Sequence, residues 1–141
     1  MFDLDNQEMD QQTAEAAFDQ WGDAMDLDLD TSKMDAEDIT SFGKLKTRLV
    51  RAIQRGHLVF NEDSEAVYTP HNRRSRYKEA ITFRERSGAS LMAMDRTKKN
   101  EDMKKTYMVM ADITGLHEKT FAGLHGTDIK VCEALFQLLM D

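Results

Sequence analysis

Cysteine, proline and tryptophan each occur once in these 141 residues. With Cys132 alone, no internal disulfide can form, and the chain reads as one of a reducing compartment. With Pro70 alone, most breaks between elements must be made by glycine and polar turns. No stretch approaches the roughly eighteen apolar residues of a membrane-spanning helix. The opening MFDLDNQEMD has no positive region ahead of an apolar run, so it is not a signal peptide. There is no GxGxxG, no P-loop and no HExxH. His57, His71, His117 and His125 are the only histidines, and none has a cysteine at ligand spacing, whereas a structural zinc needs about four convergent ligands. Cys132 has apolar neighbours at helical period and reads as core, not as a nucleophile. The chain is therefore expected to be no enzyme and to use neither cofactor nor metal.

What is present is a globular composition, 40% hydrophobic and 32% charged, with a divided charge. The net charge is -7, yet residues 1–40 hold 13 of the 26 acidic side chains and one basic residue, Lys33. The remainder is mildly basic. Residues 1–35 are read as an acidic, flexible leader ahead of a single domain over 36–141. Such a leader either stays solvated or folds back on the basic body; the solvated tail is the simpler reading. Within it, Ala14, Ala17, Phe18, Trp21 and Met25 suggest a short helix over 13–25, with Trp21 packing on its own domain or meeting a partner. Asp26, Asp28, Asp30 and Glu37 imitate a calcium loop. Thr31 replaces the turn glycine and Lys33 the apolar anchor, so a linker and helix cap is preferred.

The domain is expected to be α+β and mostly helical, with a small antiparallel hairpin or three-stranded sheet and a C-terminal helical subdomain. Residues 36–56 read as a helix with Phe42, Leu45, Leu49, Ala52 and Ile53 on one face. Lys44, Arg48, Arg51 and Arg55 line another face, and Gly56 stops the helix. Residues 57–85 are the β-rich part: Leu58–Phe60 and Ala66–Tyr68 flank a polar turn, and Tyr77–Glu85 supplies a third strand. Between them lies HNRRSR, residues 71–76. Its Arg73, Arg74 and Arg76 extend the basic surface and keep a phosphate-binding reading open. The chain from 87 to 141 reads as helices, over about 87–99, 101–114 and 118–124, then 128–140 with Thr127 as cap. Ten methionines, six of them among these helices, suit either core filling or a surface that accepts varied clients.

From Ile81 the chain runs ITFRE, SGASLMAMDR, then a helix leading to DITGLHEKTFAGLHGTDIKVCEALFQLLMD. This segment resembles the small tail assembly chaperones of long-tailed phages and prophages. The features are a Thr114-Gly115-Leu116 step, a short helix, Asp128 at the start of the last helix and Phe136 near its end. The resemblance implies a non-virion protein of the host bacterial cytoplasm, absent from the mature virion. It would bind and solubilise the tape measure protein and promote tail tube assembly around it. The tail tube protein and a frameshifted longer form of the chain are implied as further partners. Self-association is compatible with the wide apolar surface of the last helix. Leu91, Met94, Met103, Tyr107 and Met110 are expected to line a client groove, with Phe136 and Leu139 at the same surface or at a self-contact. Two other classes stay open: a minor tail structural protein, and a small nucleic-acid-binding regulator.

Overall fold

The computed structural model describes residues 9–27, 29, 31–32, 34–84 and 102–140; for residues 102–105 and Met140 it describes the backbone alone. The order is α1 (Gln11–Ala24), α2 (Ala36–Gln54), β1 (Leu58–Phe60), β2 (Ala66–Tyr68), β3 (Ile81–Phe83), α3 (Asp102–Thr114), α4 (Glu118–Ala122) and α5 (Gly126–Met140). The strands form one antiparallel sheet in the order β1-β2-β3. This is the mostly helical α+β domain expected from the pattern. The helix expected over 87–99 lies outside the described residues.

Local signals set the boundaries. Asp10 caps α1 by accepting the Thr13 N–H at 2.9 Å, and Asp35 caps α2 by accepting the Asp38 N–H at 2.8 Å. Glu37 and Asp38 in the first turn of α2, and Arg51 in its last, match the helix dipole. Gly56 ends α2 at φ 78°, donating to the Ile53 carbonyl while His57 donates to that of Ala52. These two bonds make a Schellman turn, which needs a left-handed residue at this position. In the sheet, Leu58, Ala66, Tyr68, Ile81 and Phe83 face the core, and Val59 faces water. The two-residue period of a strand requires this alternation.

The core is one continuous cluster that reaches from α1 to α5. Here the expected flexible leader needs correction: residues 11–24 are a helix of the domain. Ala14 and Phe18 are fully buried and Trp21 is 2% exposed. Trp21 lies between the rings of Phe18 and Phe60, at centroid distances of 5.9 and 5.7 Å. The acidic side chains of α1 stay outside while its apolar face docks on the domain. Burial of two large aromatics outweighs the surface charge of a short helix.

Replacing Trp21 with Ala is expected to lower the unfolding free energy by about 3–5 kcal/mol in a denaturant titration. A solvated leader would leave the midpoint unchanged. Gly56→Ala is expected to cost about 1–2 kcal/mol from backbone conformation alone, because a Cβ at that position meets nothing within 4 Å.

Candidate functional site

Helix α2 presents its basic row along one wall of a cleft of about 710 Å³. The i, i+4, i+7, i+11 spacing of Lys44, Arg48, Arg51 and Arg55 puts all four on one face. All four are exposed. Lys130 of α5 faces them, Thr127 joins it, and buried Ala52, Tyr68 and Val131 form an apolar floor. His57 and His71 also line the cleft. Among the described residues, Lys44, Arg48, Arg51 and Lys130 have no acidic partner.

The far wall is held by a buried carboxylate. Asp128 sits in the first turn of α5 and is fully buried. Its Oδ1 accepts from Tyr68 Oη at 2.6 Å and from the His71 N–H at 3.1 Å. Its Oδ2 accepts from Ser75 Oγ at 2.5 Å and from the Asn72 N–H at 3.1 Å. Ser75 Oγ in turn accepts the His125 N–H at 2.7 Å. A buried charge is tolerable only when its lone pairs are filled in this way. Burial alone pushes the Asp128 carboxyl up, but the bonds from Ser75, Tyr68, His71 and Asn72 together outweigh it and hold it below the usual carboxylate range. Burial pushes the Tyr68 hydroxyl up, and donation to Asp128 adds to this. Ser75 is 2% exposed with its hydroxyl engaged on both sides, so the cluster is a structural clasp between the 71–75 loop and α5.

The clasp also fixes the histidines. His71 Nδ1 lies 3.2 Å from both Tyr68 Oη and Asp128 Oδ1. Its ring stacks on His57 at a centroid distance of 4.0 Å and an angle of 14°. His57 is brought there by the Schellman turn after α2. Burial lowers the His57 pKa, and the neighbouring His71 and Arg55 lower it further. His57 therefore adds less positive charge to the cleft than a free imidazole would.

The expected basic surface divides in two. Lys44, Arg48, Arg51 and Arg55 share the cleft, whereas Arg73, Arg74 and Arg76 are exposed on the loop after β2 and do not line it. Of the expected client groove, Met110, Phe136 and Leu139 lie in the core. Tyr107 is half-buried, the Met103 side chain is not among those described, and Leu91 and Met94 lie outside the described residues. The apolar breadth of α5 is thus taken up largely by its own domain. The last helix also starts earlier than expected, at Gly126, and the ring of His125, not Thr127, accepts the first free N–H. Sequence reading missed Tyr68, His71, Ser75 and Lys130. A polar residue shortly after a strand and a lysine on a helix carry no local mark of convergence.

No family model matches the chain, and neither does any curated protein or solved structure.

Asp128→Asn is expected to cost about 3 kcal/mol near neutral pH, since the amide turns a donor toward hydrogens that now meet an acceptor. Because the folded carboxyl titrates below its unfolded value, this contribution is full above about pH 5 and is lost as pH falls through the lower folded pKa. Stability curves of the two proteins should therefore converge on acidification. Parallel curves down to acid would show that the carboxylate charge is not what the clasp uses.

Proposed function

We propose that this protein is a tail assembly chaperone of a long-tailed phage or prophage, which binds and solubilises the tape measure protein and promotes tail tube assembly around it. The observation that supports this most directly is that the start of the resembling segment packs on its middle, at the Thr114-Gly115-Leu116 step. Arg84 of ITFRE donates from Nε to the Ile113 carbonyl at 3.0 Å and from Nη2 to the Asp112 carbonyl at 2.9 Å. Those carbonyls belong to the last turn of α3, immediately before the Thr114-Gly115-Leu116 step. A guanidinium at a helix C-terminus satisfies orphan carbonyls and the dipole together. Gly115 takes φ 74°, and the Thr114 hydroxyl donates to the Met110 carbonyl at 2.6 Å. Asp128, the acid of the last helix, is the clasp described above, and Phe136 is in the core. The residues that carry the resemblance are thus those that set the architecture of the C-terminal unit.

With Met110, Phe136 and Leu139 engaged internally, the cleft between α2 and α5 is, among the described residues, the surface that suits a client. Its apolar floor and cationic rim suit one amphipathic helix with acidic flanks, laid in by helix-in-groove packing. A tape measure protein, a long helical chain with exposed apolar stripes before the tube encloses it, offers such segments.

The test is co-expression with a candidate tape measure protein, followed by pull-down and size exclusion with light scattering. The expected outcome is a soluble complex with many copies per client, and loss of that complex on Arg48→Glu with Arg51→Glu. A client that stays insoluble, or soluble without this protein bound, overturns the reading. Purified virions are expected to lack the protein; its retention there would favour a minor tail structural protein. The cationic row of α2 favours one further reading, a small nucleic-acid-binding regulator, whose signature is salt-dependent retention on DNA.

A further inference from the structure

The cleft between α2 and α5 concentrates positive charge from two walls over an apolar floor. We propose that it binds a compact organic polyphosphate of nucleotide size, with the phosphoryl chain across Arg48, Arg51 and Lys130 and the organic body on the floor of Ala52, Tyr68 and Val131. The inference does not rest on the chaperone reading, because it needs no client.

The cleft is of a size for a small ligand. Its volume of about 710 Å³ falls within the roughly 300–1,000 Å³ of small-molecule sites. From Lys44 to Arg55 the helix rises only about 16 Å. The row is bounded at both ends. Glu37, exposed in the first turn of α2, precedes Lys44 by two helical turns and so lies on the same face. Past Arg55, the rings of His57 and His71 stack at 4.0 Å, and His71 is held to Asp128. Negative charge just beyond Lys44 opposes a long polyanion that runs on past the row. A short one stays clear of it.

Charge selects phosphoryl groups. Among the described residues no carboxylate lines the cleft. The nearest, Asp128, is fully buried with both oxygens already accepting hydrogen bonds. Lys44, Arg48 and Arg51 stand on one wall and Lys130 on the other, and Thr47 adds a hydroxyl beside Arg48. One carboxylate between these walls would leave most of the positive charge unmet, whereas a phosphoryl chain carries several negative charges. The guanidinium fork matches phosphate oxygens in pairs, and the ammonium of Lys130 meets them as a point charge. The floor selects the rest of the ligand. Ala52, Tyr68 and Val131 are buried and uncharged, so a purely inorganic chain leaves the apolar part of the cleft uncovered.

The test is a calorimetric titration of the full chain with ATP, in magnesium-free buffer so that side-chain cations alone meet the phosphoryl groups. Arg48→Ala with Lys130→Ala removes one cation from each wall and is expected to weaken binding by at least about tenfold. Arg73→Ala with Arg74→Ala removes the same charge from the loop outside the cleft and is expected to leave affinity within about twofold. All four side chains are exposed, so both variants should keep the fold, which circular dichroism checks. Inorganic triphosphate is expected to bind roughly tenfold more weakly than ATP, because it covers none of the floor. Equal weakening by the two pairs overturns the proposal, since diffuse attraction does not tell the cleft from the loop. Absence of ATP binding overturns it as well, and so does equal affinity for ATP and triphosphate. A single-stranded oligonucleotide that binds more tightly than ATP, and keeps gaining affinity with length, overturns it in favour of nucleic acid.

Discussion

Much of the C-terminal architecture hangs on one buried carboxylate. Asp128 receives a phenol, a serine hydroxyl and two backbone N–H groups from the sheet and the loop that follows it. Left unpaired, a charge at that depth would oppose folding; with four donors it fixes α5 against β2 and the 71–75 loop. The same bonds seat His71 on His57 and so shape one end of the cleft. The requirement is mutual. The loop has few apolar side chains with which to hold itself down, and the carboxylate has no solvent.

A second constraint is the separation of charge. The acidic N-terminal part joins the domain through the apolar face of α1, with Phe18 and Trp21 buried, while α2 keeps its cations on the face that α5 leaves open. Had the acids of α1 been paired with that row, the cleft would be neutral. Apolar docking of α1 therefore does more than add stability. It keeps the two charge sets apart and leaves a cationic groove on a chain of net charge -7.

Thr114, Gly115, Asp128 and Arg84, on which the proposed chaperone reading draws, hold turns, caps and the clasp. They are the positions at which a small helical unit has the fewest alternatives. A left-handed glycine after a helix, an arginine on its last carbonyls and an acid buried at the start of the next helix each answer a backbone demand. Lys44, Arg48 and Lys130 on the rim of the cleft answer no such demand, which leaves them available for recognition.

The chain itself determined its elements. Period, caps and glycine stops placed α2, the hairpin, β3 within its longer expected segment, and the helices after residue 101, because each boundary rests on neighbours a few residues apart. The same locality made the basic row of α2 legible. Tertiary structure decided the rest. Whether Trp21 docks, whether the apolar surface of α5 is core or contact, and which polar residues meet Asp128 all depend on pairs far apart in the chain. Tyr68 and Asp128 are sixty residues apart. No spacing rule reports such a meeting, because the energy that selects it exists only once both segments are buried together.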